Sequence, residues 1–426
     1  MKILVLHRVP YPKIEYHRGI DHDVHDVTYF GRRPALDTLP EGLRREEVER
    51  PGLRDPYDEA VDWLETDPRS FDRIVSMSEY ELLDAARLRE RLGVPGAPVR
   101  RVLLARDKVL MKRAVERAGL RVPRFLPLTD FLKADGEAPW TGATVLKPHR
   151  GASSENVVVY GDPREAHASV TGRTSGVPEL DGAEVTDESV SSYEVEEFVD
   201  GPVLHFDGLV QDGRVLALTA SEYLGTCLAY AQGVPLGSFQ IRLTDDSRAW
   251  AARALDAVEI REGSFHLEAI RDAGGELVFL EVGNRVGGAD VAATFELRTG
   301  VHLPSWELRV LLGEQVADLL PERPAERWYG WFVYPGHHLA PGVFEGFDGT
   351  DGFAADPRSV TWQELAYGAA LPDHITYGAY ETALAGIAGT PSPEETREWM
   401  ARLFASLRIR TARLPATESA HEGAQV

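Results

Sequence analysis

Residues 264–288 read Ser-Phe-His-Leu-Glu-Ala-Ile-Arg-Asp-Ala-Gly-Gly-Glu-Leu-Val-Phe-Leu-Glu-Val-Gly-Asn-Arg-Val-Gly-Gly. Two strand-like runs, 264–270 and 276–282, flank Ala273-Gly274-Gly275, which supplies the turn of a hairpin. If Glu268 and Glu281 meet across an antiparallel pair, both carboxylates are held at one place between apolar neighbours. Two partly buried like charges need a counter-charge, and a hard divalent cation bound by oxygens supplies it. Two glutamates on a solvated sheet face give the same pattern, so the hairpin alone leaves both readings open.

Working outward, Asp107-Lys108 opens a helix whose apolar positions Leu110, Met111, Ala114, Val115 and Ala118 recur with helical period, and Gly119 and Pro123 end it. The strand Thr144 to Leu146 runs into Lys147-Pro148-His149-Arg150-Gly151-Ala152-Ser153-Ser154, and Val157 to Tyr160 resumes a strand. Two lysines converging on a loop of Gly, Ala and Ser neutralise a polyphosphate, while backbone N–H groups approach its oxygens unobstructed. No Walker A pattern occurs, and in isolation both lysines also read as solvated surface charges. Tyr193 to Val199 ends a strand in acids, an aromatic and the turn Asp200-Gly201, a pattern shared with any edge strand of an acidic protein.

With 426 residues the chain has room for two to three domains. Its 46 Lys and Arg against 68 Asp and Glu give a net charge of −22, so a phosphate-backbone binder would have to hide a basic groove in an acidic field. Nucleic acid is therefore not an expected partner. The single cysteine, Cys227, makes no internal disulfide and no cysteine metal cluster. No run approaches the roughly 20 apolar residues that cross a bilayer, and Met1-Lys2 leads straight into a strand pattern rather than an export signal, so the expectation is a cytoplasmic protein with no membrane partner.

Strands at residues 2–6, 24–30 and 74–77, with a helix after Ser78-Glu79-Tyr80-Glu81 that closes at Gly93, predict a parallel α/β unit over the first hundred residues. The charged, proline-containing segment 32–62 reads as a loop with one short helix. A strand pair at 204–210 and 214–219 turns at Asp212-Gly213, and 246–258 is helical. A β-rich piece from about residue 325 ends in a helix opened by Ser392-Pro393-Glu394-Glu395. His337-His338 looks like a metal pair, but neighbours on a strand face opposite sides.

Taken together and in this order, these motifs resemble the ATP-grasp superfamily of carboxylate-amine ligases, closest in look to the ligases that join L-amino acids into dipeptides. The features are Asp107-Lys108 with its helix, Val-Leu-Lys-Pro with the small-residue loop, Glu-Glu-Phe-Val-Asp-Gly, Phe-His-Leu-Glu, and Phe-Leu-Glu-Val-Gly-Asn-Arg-Val-Gly-Gly. They span about residues 100 to 300. The resemblance implies an α/β chain, α+β in the clamp: a leading Rossmann-like domain over 1–104, a small subdomain over 105–195, and a large subdomain with the metal site over 196–320. A β-rich C-terminal subdomain over 321–415 and a disordered tail over 416–426 complete that division.

It further implies that Lys108 and Lys147 hold ATP phosphates under the loop Gly151, Ser153 and Ser154. Glu196, Glu197, Phe198 and Val199 would form the adenine hinge, Glu268 and Glu281 would bind magnesium, for which manganese substitutes, and Arg285 would act with Lys147 on the transferring phosphoryl group. A substrate carboxylate would attack the γ-phosphate, and an amine would displace phosphate from the acyl phosphate, releasing ADP. Two departures stand out. Many members carry Asn two residues after the second glutamate, where this chain has Gly283 and then Asn284, so Asn284 or water takes that ligand's place. The ribose-binding glutamate gives way to Val203, leaving His205 or Asp207 as substitutes. The rival readings are a carboxylase or carboxylate kinase of the same fold, and an ATP-binding regulatory protein without chemistry. A homodimer is the base-rate assembly.

Overall fold

The computed structural model describes residues 1–151, 154–321, 326–350 and 352–413, so the tail expected over 416–426 lies outside the described residues. By their contacts these form two compact units, 1–223 with 240–328, and 224–239 with the described residues from 329 onward.

The first unit opens with a parallel sheet in the order Glu46–Glu49, Asp26–Gly31, Lys2–His7, Arg73–Ser76. Ile3 and Val5 pack on Tyr11, Tyr16, Val27 and Tyr29, while Leu4 and Leu6 pack on Phe30, Ala60, Ala85 and Leu88. A parallel sheet covered on both faces reads as a near-continuous apolar run, as Ile-Leu-Val-Leu does. The helix Leu82–Leu92 ends at Gly93 in the left-handed region, as the sequence indicates. Ser78 makes no side-chain cap: the N–H of Glu81 goes to the Ser78 carbonyl at 3.0 Å, and the Glu81 carboxylate turns inward onto Arg50 at 3.3 Å. Segment 32–62 also holds more than one short helix: Arg33–Leu36, Pro56–Thr66 and the edge strand Glu46–Glu49. That strand, Glu-Glu-Val-Glu, has no buried residue and so no apolar alternation to read.

A second, antiparallel sheet orders Phe125–Pro127, Tyr193–Glu197, Thr144–Pro148 and Val158–Tyr160. Alternation sorts its side chains. Leu146, Tyr193 and Val195 join an apolar cluster with Leu128, Phe131 and Trp140. Lys147, Glu194 and Glu196 fall on the opposite face, with Lys147 registered against Glu194.

A third group of strands runs Leu277–Gly283, Gly263–Arg271, Val203–Gln211, Arg214–Leu224, each antiparallel to the next. Phe206, Phe265, Leu267, Phe279 and Val282 bury one face against Met111 and Val115 of the helix Lys108–Arg117 and Ala251 and Leu255 of the helix Asp245–Ala257. Asp212 and Gly213 take positive φ at the hairpin turn, as an Asp-Gly pair does. The strand after it continues to Leu224, five residues past the run 214–219 read from sequence.

In the second unit, residues 236–239 pair antiparallel with 330–333, and Ser359–Glu364 with Leu384–Thr390. Pro393–Ser406 is helical, with Ser392 capping Glu395 N–H at 3.2 Å and Trp399 fully buried. His337 and His338 sit in a 3-10 turn rather than a strand, and His337 Nε2 lies 3.1 Å from the carbonyl of Ala231. Among the described residues no helix is long and apolar enough to cross a membrane.

Candidate active site

Glu268 and Glu281 are direct register partners across the strand pair 263–271 and 277–283, with a bulge immediately after Glu268. The register thus sets the two glutamates side by side, the first of the two readings the hairpin sequence leaves open. Lys108 reaches them from the first position of its helix. Asp107 caps that helix by accepting Leu110 N–H at 3.0 Å, and this fixes the direction in which Lys108 leaves. Lys108 Nζ lies 3.0 Å from Glu281 Oε2 and donates to the carbonyl of Gly151 at 2.9 Å. One ammonium therefore ties the small-residue loop to the glutamate hairpin. A Cβ at Gly151 would stand 2.7 Å from Pro148 Cγ, so the loop's first position needs a residue without one. Ser154 follows with φ +58°, and Ser153 lies outside the described residues.

Lys147 is buried, and its Nζ pairs with Glu196 Oε1 at 2.6 Å. Burial works against its charge, but Glu196, Glu194 and Glu281 outweigh that and hold the ammonium above the ordinary lysine range. For Glu281 burial again opposes ionisation, and Lys108, Lys147 and Arg285 reverse it, keeping the carboxyl well below its usual range. Arg285 donates from Nε to Glu79 Oε2 at 2.5 Å and from Nη1 to the carbonyl of Val286 at 2.9 Å. Glu281 and Glu268 both act on its charge, so Arg285 belongs to the same group. The four groups that the sequence reading needs at one place, together with Arg285, are brought together inside the first unit.

The expected hinge is built differently at side chain and backbone. The carboxylate of Glu196 is consumed in an ion network: Oε2 accepts from Lys112 Nζ at 2.5 Å, and Lys112 also donates to Glu194 Oε1 at 2.7 Å. Glu197 faces Arg124, which donates from Nε to Oε2 at 2.6 Å. Along the backbone, Glu197 N–H donates to Arg124 O and Phe198 N–H to Ala143 O, each at 2.9 Å, whereas Val199 N–H has no partner among the described residues. Phe198 is 49% exposed beside it. A backbone donor without a partner next to an open aromatic suits the edge of a purine.

Two sets of expected residues are engaged by other partners. His205 and Asp207 are 1% exposed and do not stand ready for a ribose. Asp207 instead lies between two imidazoles, His205 Nδ1 at 2.5 Å and His266 Nδ1 at 2.7 Å, and His266 Nε2 lies 3.2 Å from Glu268 Oε1. Tyr223 donates to the same Glu268 oxygen at 2.8 Å. The reason is register: His205 pairs with Glu268 and Asp207 with His266, so one sheet face carries all four. His205, Asp207 and His266 place ligand atoms within 4.8 Å of one another. Burial opposes the charge on Asp207, but His205 and His266 hold it far below the usual carboxylate range, and His266 in turn is pushed up to about 9. Asn284 also fails to join the glutamates. Its amide donates to the carbonyls of Glu262 at 3.1 Å and Ser264 at 2.8 Å, fastening the start of the strand that carries Glu268 four residues further on.

Sequence reasoning missed Glu79, Lys112, Tyr223 and His266. For His266 a signal existed: residues two apart on a strand share a face, so His266 must accompany Glu268. Glu79 and Lys112 carried none, since each meets its partners only through the tertiary fold.

Over 272 residues, 62% of this chain, the sequence is 26% identical to an L-arginine-specific L-amino acid ligase of Bacillus subtilis, and the chain spans 63% of that relative's length. No family model matches. The structure superposes on that of an L-amino acid ligase from Bacillus licheniformis with a TM-score of 0.70 and 22% identity, over 96% of this chain and 98% of the other. It also superposes on phosphoribosylglycinamide synthetase from Anaerococcus prevotii, with a TM-score of 0.63 and 13% identity, over 96% and 99%. A biotin carboxylase domain from Hydrogenobacter thermophilus, solved with magnesium ADP, gives 0.61 and 16% over 96% and 90%. Agreement that runs the length of both chains at such low identity is a property of the fold, and the fold is ATP-grasp.

Proposed function

We propose that this protein is an ATP- and magnesium-dependent ligase that joins a carboxylic acid, an amino acid, to an amine through an acyl phosphate, releasing ADP and phosphate. The observation that carries the reading is the convergence of Glu268 and Glu281 with Lys108, Lys147 and Arg285. The relative and the neighbour that act on L-amino acids support the substrate class.

The donor set suits magnesium: two facing carboxylates supply hard oxygens, and one of them already pairs with an ammonium. Glu268 and Glu281 would hold the ion, which when bound offsets charge on the phosphate oxygens; manganese has the same oxygen preference and would substitute. The chain's own residues do the rest. Lys147, kept cationic by its glutamate neighbours, and Lys108, turning from Glu281, bind phosphate oxygens. Gly151 and Ser154 flank them, and Val199 N–H meets the adenine edge. Arg285 lies against the phosphoryl group in transfer. The substrate carboxylate oxygen attacks the γ-phosphorus as the bond to ADP breaks. The amine nitrogen then attacks the acyl carbon, its proton passes to the departing phosphate or to water, and the tetrahedral intermediate expels phosphate. No protein nucleophile enters, and phosphoryl transfer of this kind rests on positioning and charge. The cytoplasm, where ATP and amino acids are available, is the compartment this reading implies.

The test is ADP and phosphate release by the purified protein with magnesium ATP and pools of amino acids, with peptide detected by mass. ADP formation that depends on both an acid and an amine is expected. AMP and pyrophosphate as products would overturn the acyl-phosphate mechanism, and ADP release indifferent to the amine would overturn the ligase reading in favour of a kinase or carboxylase.

A further inference from the structure

Gly283 stands two residues after Glu281, where a side chain would project beside the glutamate pair. A Cβ built there would lie 2.8 Å from Glu79 Oε2, and 3.4 and 3.5 Å from Cγ and Nε of Arg285. The space is thus filled by a carboxylate from elsewhere in the chain. Glu79 follows the parallel strand Arg73–Ser76, at the carboxyl end of the leading sheet. It is clamped between two guanidiniums, since Oε1 accepts from Arg106 Nη1 and Oε2 from Arg285 Nε. Its side chain is 11% exposed, a position in which a carboxylate persists only when paired.

We infer that Glu79 is a positioning residue for Arg285, and that Gly283 is the glycine that admits it. Glu79 holds Arg285 at Nε and the Val286 carbonyl holds it at Nη1, so the plane of the guanidinium is set. Nη2 has no partner among the described residues, leaving that end for a phosphoryl oxygen. Without Glu79 the guanidinium swings toward the remaining acids, Glu281 and Glu268, which already act on its charge. A planar fork recognises phosphoryl oxygens only in a fixed orientation, so its holder acts on the transferring group without touching it. Both oxygens of Glu79 accept from arginines, which sets it apart from the two glutamates assigned to the ion.

The inference rests on the phosphoryl-transfer half of the proposed function and is tested apart from ligase turnover, by calorimetric binding of magnesium ADP with and without orthovanadate as a mimic of the phosphoryl group. E79Q is expected to weaken the vanadate complex about tenfold while changing the affinity for magnesium ADP alone less than twofold. R285A should weaken the vanadate complex at least as much, and E79Q/R285A no further than R285A. G283A, whose methyl meets the movable end of the Glu79 side chain, should reproduce E79Q with the charge retained, and it stands in if E79Q does not fold. Additive losses in the double variant, or an unweakened vanadate complex in G283A, overturn the inference. So does a fall in Mn2+ affinity in E79Q, read by electron paramagnetic resonance, since that identifies Glu79 as an ion ligand instead. Absence of amine-dependent ADP release in the wild type would sink the ligase reading and leave this binding comparison standing.

Discussion

At the scale of single residues, the site is a balance of charges that burial makes expensive to disturb. Glu281 stays ionised because Lys108, Lys147 and Arg285 outweigh its desolvation. Replacing it with alanine removes one of the two oxygen donors proposed for the ion and frees Lys108 from its partner, so E281A should lose at least about a hundredfold in acid- and amine-dependent ADP release, measured against unchanged secondary structure by circular dichroism. Glu307 presents the opposite case. It is 2% exposed, and burial pushes its carboxyl up to about 8. A folded-state value raised above the unfolded one means that the native state holds the proton more tightly, so no penalty exists at acid pH and stability falls as pH rises toward 8. E307Q removes that titration. Its melting temperature relative to wild type should climb steadily from pH 5 to pH 8 and level off above it, and a pH-independent difference would exclude this origin.

At the scale of elements, the small antiparallel sheet and the helix Lys108–Arg117 are locked by Lys112. Its side chain is fully buried, and it bonds Glu194 and Glu196 at 2.7 and 2.5 Å. Glu196 then carries Lys147 at 2.6 Å, so one strand fixes both a structural lysine and a site lysine. K112M leaves Glu194 without its cation and should cost about 3–5 kcal/mol in urea unfolding, whereas K112M combined with E194Q should recover part of that loss. Alternation explains why the arrangement was half legible. Lys147 at the strand end and the run Glu194-Val195-Glu196 can be read from sequence, and period two puts both glutamates on one face. That a lysine one turn past Lys108 meets them depends on how the helix lies on the sheet. The same limit applies to the ribose assignment. His205 and Asp207 do share a face, but the neighbouring strand presents His266 and Glu268 to them, and a His–Asp–His cluster forms where a nucleotide contact was expected.

At the scale of the whole molecule, a nucleotide held by residues from the helix, the small sheet and the glutamate hairpin should stabilise the native state by mass action. At about a hundred times the dissociation constant, the gain is about 2.7 kcal/mol. Magnesium ADP should therefore raise the melting temperature by a few degrees, EDTA should cancel most of the rise, and E268A should be insensitive to the metal. Scanning calorimetry with and without chelator decides this.

The sequence by itself determined the elements that are self-contained. The hairpin turn at Ala273-Gly274-Gly275 puts Glu268 opposite Glu281, Asp107 starts the helix that carries Lys108, and the apolar run Ile3 to Leu6 makes a strand buried on both faces. Each follows from local turn chemistry, capping or periodicity. The edge strand Glu46–Glu49 escaped because charged residues can pair at an edge without any apolar signal. Only the tertiary structure decided that Glu79, more than 200 residues before Arg285, should hold its guanidinium, and that Asn284 should bond backbone carbonyls instead of joining the glutamates. The physical reason is that a buried charge is settled by whichever opposite charge packing brings within a few ångströms, and that neighbour is fixed by the packing of sheets and helices rather than by spacing along the chain.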